Sequence, residues 1–152
     1  MRGLEAIKAV LSEQIRGYRA LLELLQRERI CLIGLNGPEV EQVAKEKDTI
    51  LLKLRLFEEE RLRLTREWGA QAGIKSDLRL KDIAEMSGDR DLSCLRSQLL
   101  SLLQGVNELN DLNKTFTERT LSFTRGARDR LLPGCSTTSP RQSTATVLSR
   151  EV

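Results

Sequence analysis

The chain is predicted to be all-α: a long antiparallel helical hairpin and a still longer third helix forming an elongated three-helix bundle or coiled coil, with a short connecting helix and a disordered C-terminal tail. Three observations lead there. Only 3% of the 152 residues are aromatic, so a core must be built from aliphatics. Leu, Glu, Arg, Lys and Ala dominate, a usage that accompanies long helices packed along a repeating seam. Apolar residues also recur at three- and four-residue steps over long stretches, while glycine and proline collect at a few breaks.

The first helix begins near residue 3 with Leu4, Ile7, Leu11, Ile15, Tyr18, Leu22, Leu25 and Leu32 on one face. Glu23 precedes Arg27 by four residues, an orientation that supports the exposed side. The segment Gly34-Leu35-Asn36-Gly37-Pro38 should stop it, with glycine as a left-handed cap and proline in the first turn of the next helix. Asn36 followed by Glu39 supplies a capping-box-like start. The second helix spans residues 38–68, with Val40, Val43, Ile50, Leu51, Leu54, Phe57, Leu62 and Leu64 as its stripe. Gly69 is expected to end it, residues 69–77 to form a loop, and Asp77 to cap a short helix over 78–86.

Ser87-Gly88-Asp89 opens the longest run, in which Leu92, Leu95, Leu99, Leu102, Val106, Leu109, Phe116, Phe123 and Leu131 repeat, with Asn113 and Thr120 at two seam positions where an apolar residue would be expected. Pro133-Gly134 stop it. Residues 1–132 thus form one helical domain, and the Ser/Thr-rich stretch 133–152 lacks the periodicity to order itself. At about 1.5 Å per residue the hairpin helices extend roughly 45 to 50 Å and the third roughly 65 Å. The third outruns the hairpin. Its distal stretch, with Phe116, Leu121, Phe123 and Leu131, is then short of partners in its own chain, as binding surfaces are. Core packing or self-association is the competing reading. Gly126 and the threonines Thr115, Thr117, Thr120 and Thr124 lower helix propensity there, which favours a site.

Charge and cysteine content narrow the function classes. A net charge of +3 is small against 31% charged residues, and the alternation Glu58, Glu59, Glu60, Arg61, Arg63 reads as a solvated helix face. Nucleic-acid binding would want clustered bases, found weakly at Arg125, Arg128 and Arg130, so no nucleic-acid partner is expected. Cys31, Cys94 and Cys135 share no CxxC spacing, which indicates neither a disulfide framework nor a zinc site. No secretion signal or membrane span is apparent, so a cytoplasmic protein with no membrane insertion is expected. With no histidine and no converging carboxylates, the chain is read as non-enzymatic and without cofactor or metal.

Two stretches carry a family likeness. LNGPEVEQVAKEKDTILLKLRLFEEERLRL, residues 35–64, resembles the hairpin of FlgN-type flagellar export chaperones, with its Asn-Gly turn, Glu46-Lys47 and Glu/Arg-rich end. VNELNDLNKTFTERTLSF, residues 106–123, is similar to that family's third helix, where Leu-Asn and a further Asn precede an apolar segment. The likeness covers roughly residues 4–132. It implies a cytoplasmic chaperone that keeps hook-associated (hook-filament junction) proteins unassembled before type III export by holding their C-terminal helical segments. The matching positions are Leu109, Asn110, Asn113, Phe116 and Leu121, and the periodicity adds Phe123. The export apparatus is a second implied partner, but the Tyr-Gly-containing segment that family members often carry after the last helix is replaced by Pro133-Gly134-Cys135. A structural coiled-coil scaffold, self-associated as a homodimer or larger oligomer, is the alternative.

Overall fold

A computed structural model describes residues 2–131 and holds four helices: α1 (Arg2–Ile33), α2 (Gly37–Gln71), α3 (Leu80–Ser87) and α4 (Arg90–Leu131). The described residues include no strand. The predicted Ser/Thr-rich tail and Cys135 lie outside them. At 1.5 Å per residue α1, α2 and α4 extend about 48, 52 and 63 Å, so the predicted long hairpin, short connector and longer last helix are all present.

α1 is the middle element. Gly17 meets Leu54, and Gln14 bonds Glu58, so α2 runs antiparallel to it. Lys8 meets Asp89 at one end of α4 while Asn113 meets Leu25 much further along, so α4 runs parallel to α1. α2 and α4 make few contacts with each other. Burial follows the predicted periodicity on α1 and α4, with Ile7, Leu11, Leu25, Leu92 and Leu99 almost completely enclosed, as is Leu54 of α2. Leu21 and Leu24 join the buried set, because a helix packed between two others buries more than one stripe.

Several local expectations are corrected by packing. Gly69 does not end α2; it is buried inside the helix, where its missing side chain lets Leu78 of the connecting loop settle against the backbone. The helix ends two residues later in a Schellman motif, with Ile74 N–H bonded to Gly69 O and Gly73 N–H to Ala70 O. Asp77 does not cap α3: the helix starts after Arg79, whose N–H donates to Asp82 at 2.9 Å. Asp77 sits near Arg66 instead. Arg27 bridges to Glu46 and Glu39 on α2, so its partners lie across the hairpin. Arg61, read as part of a solvated face, is fully buried. Lys47, Leu54, Arg61 and Trp68 share one line of seven-residue spacing on α2, and Glu58 folds back to neutralise Arg61 while accepting from Gln14 of α1.

The hairpin turn corrects one more expectation. Asn36 caps α2 as predicted, accepting from Glu39 N–H. The left-handed residue that closes α1, however, is Leu35 at φ 53, not glycine. Asn36 N–H reaches Cys31 O and Leu35 N–H reaches Leu32 O, a complete Schellman motif. An L-residue in this conformation carries a strain of about 1–2 kcal/mol.

Two checks follow. Gly17 lies so close to Leu54 that an added Cβ would fall 2.7 Å from Leu54 Cδ2. Leu54 is fully enclosed in the core. Gly17→Ala should therefore give a net loss of about 1 kcal/mol in urea unfolding, overpacking exceeding the gain in helix propensity; a stabilised variant would contradict this close approach. The second concerns acid. Asp89 caps α4 through Leu92 N–H and pairs with Lys8, which hold its carboxyl below the usual 3.8. Asp82 is lowered by Arg79 N–H in the same sense. A depressed carboxyl contributes stability above its unfolded pKa and loses it as pH falls through the folded value, so the unfolding temperature should drop on acidification below about pH 4. Asp89→Asn should reduce that drop.

Candidate functional site

α4 carries two lines of apolar residues at seven-residue spacing, and their fates diverge along the helix. Leu92, Leu99 and Val106 are buried against α1, and the line continues through Asn113 and Thr120. Leu95, Leu102 and Leu109 are partly buried against the same core, and that line continues through Phe116 and Phe123. A repeat of seven is the signature of a helix-on-helix seam. The first line turns polar where the second stays apolar and comes uncovered: Phe116 is 39% exposed and Phe123 80%.

The change occurs at a polar layer. Asn113 is buried, and its Nδ2 donates to Leu25 O at 2.9 Å and to Glu28 Oε1 at 3.0 Å. The other oxygen of Glu28 takes Lys47 Nζ of α2 at 2.7 Å. Glu28 and Lys47 are themselves mostly enclosed, with side chains 12% and 16% exposed. One carboxylate therefore joins all three long helices.

Immediately beyond this layer the hairpin tip and α4 enclose a shallow apolar groove of about 250 Å³. Leu32, Leu35 and Val40 line it from the hairpin, Phe116 and Leu121 from α4, with Thr117 and Thr120 between them. Thr117 Oγ1 donates to Asn113 O within its own helix, so its hydroxyl is satisfied locally. Residues 122–131 of α4 run past the tip, about 15 Å of helix at 1.5 Å per residue. Residues 114–131 bring Lys114, Arg119, Arg125, Arg128 and Arg130 against Glu118 and Asp129, so the projecting part is basic.

The residues singled out from sequence divide in two. Phe116 and Leu121 share the groove, and Phe123 stands exposed beyond it. Leu109 packs on the core just below, and Asn110 is half-buried. Asn113 is not presented to solvent at all: its amide serves α1 of its own chain. Leu32, Leu35 and Val40 complete the groove without having been singled out as site residues, although a leucine between Gly34 and Asn36-Gly37 is an unusual turn residue and was a usable signal.

Among the described residues no helix is long and apolar enough to cross a membrane, and no group of three or more His, Cys, Asp or Glu is placed to hold a metal ion. In comparisons with known proteins, the family model described as FlgN protein matches residues 1–139. No curated protein and no solved structure matches.

The polar layer gives a direct check on the placement of Asn113. Asn113→Ala removes the donor facing two enclosed acceptors and should lower unfolding free energy by about 1–2 kcal/mol in urea titration. A solvent-facing asparagine would change it by less than about 0.5 kcal/mol.

Proposed function

The chain belongs to the FlgN family, whose members are flagellar export chaperones, and on that premise we propose that it holds the C-terminal helical segments of hook-associated proteins, unassembled and in the cytoplasm, until export. The observation that supports this reading is the continuation of the α4 seam past the hairpin tip, where α1 ends and α2 begins. Phe116 and Phe123 extend the line that Leu95, Leu102 and Leu109 bury against α1, with no element of the described chain set over Phe123. A guest helix seated there would prolong the position of α1 on α4. Fully burying an exposed phenylalanine side chain contributes about 1.5–3 kcal/mol; Phe123 has most of that to gain and Phe116, already partly covered, the smaller share, which supports a modest, reversible contact.

Work of this kind needs no catalysis. A chaperone that releases its guest at the export machinery benefits from a modest apolar contact, since most affinity differences among related complexes lie in the dissociation rate. The same face could take a second copy of the chain, the scaffold reading, and the two differ in solution. Light scattering should show a monomer or weak dimer whose groove accepts a peptide; a tight oligomer with the groove occupied favours the scaffold.

Titration with synthetic C-terminal segments of hook-associated proteins is the central experiment. Phe116→Ala, Leu121→Ala and Phe123→Ala should each weaken binding by about 1–3 kcal/mol while circular dichroism stays unchanged. Loss of helicity without a specific binding defect would make these residues core and remove the support for the assignment.

A further inference from the structure

The hairpin turn contains a conflict that the fold alone does not resolve. Three described residues adopt positive φ: Leu35, Gly73 and Gly88. Gly73 and Gly88 close the ends of α2 and α3, as glycine usually does because it has no Cβ to strain. Leu35 occupies the equivalent place after α1, although Gly34 precedes it directly and Gly37 follows two residues on. A turn so rich in glycine has placed a leucine at the position that most favours glycine.

A residue other than glycine at this position carries the steric cost of its Cβ. Leu35 is 76% exposed, so burial of its own side chain offsets little of that cost. What its side chain does instead is line the apolar groove with Phe116 and Leu121, at the rim where α1 stops and α4 goes on. Residues other than glycine held in the left-handed region cluster at ligand clamps and other functional positions.

We infer that Leu35 is a partner-contact residue, held in a strained backbone so that its side chain can close over the end of a guest helix seated on α4. The inference rests on the chaperone reading above and adds to it a residue and the chemistry of the guest. The occupant is an amphipathic helix of about four turns, the length of α4 from Phe116 to its end at Leu131. Its identity as a helix follows from the continuity of the seam, because the seven-residue line that α1 covers up to Leu109 runs on through Phe116 and Phe123. Its margins are acidic, because the stretch it lies along carries five basic residues against Glu118 and Asp129. Such a margin complements the surface and sets orientation more than affinity.

The experiment combines thermal unfolding with calorimetric titration of the same synthetic segments, on the full chain and three variants. Leu35→Gly relieves the backbone and removes the side chain, so the unfolding temperature should rise by about 2–4 °C while peptide affinity falls about tenfold. Leu35→Ala keeps the strain and removes the side chain; its unfolding temperature should stay put and its affinity should fall similarly. A residue with only a structural role would not raise stability and lower binding together. Affinity within about twofold of wild type for both variants, while Phe116→Ala loses tenfold or more, overturns the role of Leu35 and leaves the chaperone reading standing. A fall in unfolding temperature for Leu35→Gly overturns the strain argument. Binding that survives Phe116→Ala as well, or no binding by the unmodified chain, overturns both.

Discussion

The upper half of the bundle depends on one carboxylate. Glu28 of α1 meets Lys47 of α2 with one oxygen and Asn113 of α4 with the other, so a single side chain sets the height of both outer helices against the middle one. Its value is positional. A mostly enclosed ion pair gains little net energy over apolar packing, since desolvation offsets most of the attraction, but removing one partner leaves a charge with no water and no mate. Sliding α4 by one turn would take Asn113 away from both Glu28 and Leu25 O. The register so fixed decides which residues of α4 still face α1 and which pass beyond it. Phe116 lies one turn past Asn113, at the point where cover runs out.

Two further polar contacts act lower down in the same manner. Gln14 of α1 donates to Glu58, which also neutralises the buried Arg61 on α2, and Lys8 of α1 meets the helix-capping Asp89. Between these layers the packing is aliphatic and repetitive, and repetitive seams tolerate slippage. A bundle of long leucine-rich helices therefore needs a few polar layers to select one alignment among many of similar apolar burial. The distal part of α4 has no such layer beyond Asn113. There Thr117 and Thr124 bond back to carbonyls four residues earlier, which satisfies the hydroxyls locally and slightly weakens the helix.

Most of the architecture was legible because long helices advertise themselves. The steps of three and four from Leu4 to Leu25, the break at Gly34 to Pro38 and the run from Leu92 to Phe123 all correspond to observed elements, and Asn113 and Thr120 do sit on the seam. What stayed hidden depends on contacts remote in sequence. Arg61 looks solvated within its charge run, and only the line through Lys47, Leu54 and Trp68 shows that it points inward. Gly69 reads as a helix stop until Leu78 is seen to use the space above it. Asn113 reads as an offered polar contact because its partners, Leu25 and Glu28, lie more than eighty residues away. Leu32 and Val40 are ordinary helix-end residues in sequence, and become groove residues because α4 happens to be longer than the hairpin it lies on.

The placement of Asn113 makes physical sense if the seam changes ownership at that point. Below it, α4 rests on α1 permanently and the line is Leu92, Leu99 and Val106. Above it, on the proposed reading, the same face is shared in turn by solvent and by a guest. An apolar residue at the boundary would favour continued sliding, because a guest helix that displaced α1 by a turn would bury just as much surface. A buried amide tied to Leu25 O and Glu28 makes that slide unfavourable, since it would leave the enclosed Asn113 amide without its acceptors. The guest can then come and go over Phe116 and Phe123 without the core beneath it changing register. The hairpin turn completes the arrangement from the other side: α1 ends abruptly in a motif that exposes Leu35, and α4, held at fixed height, continues past it. The proposed site is thus defined by a difference in helix length that one polar layer holds in register.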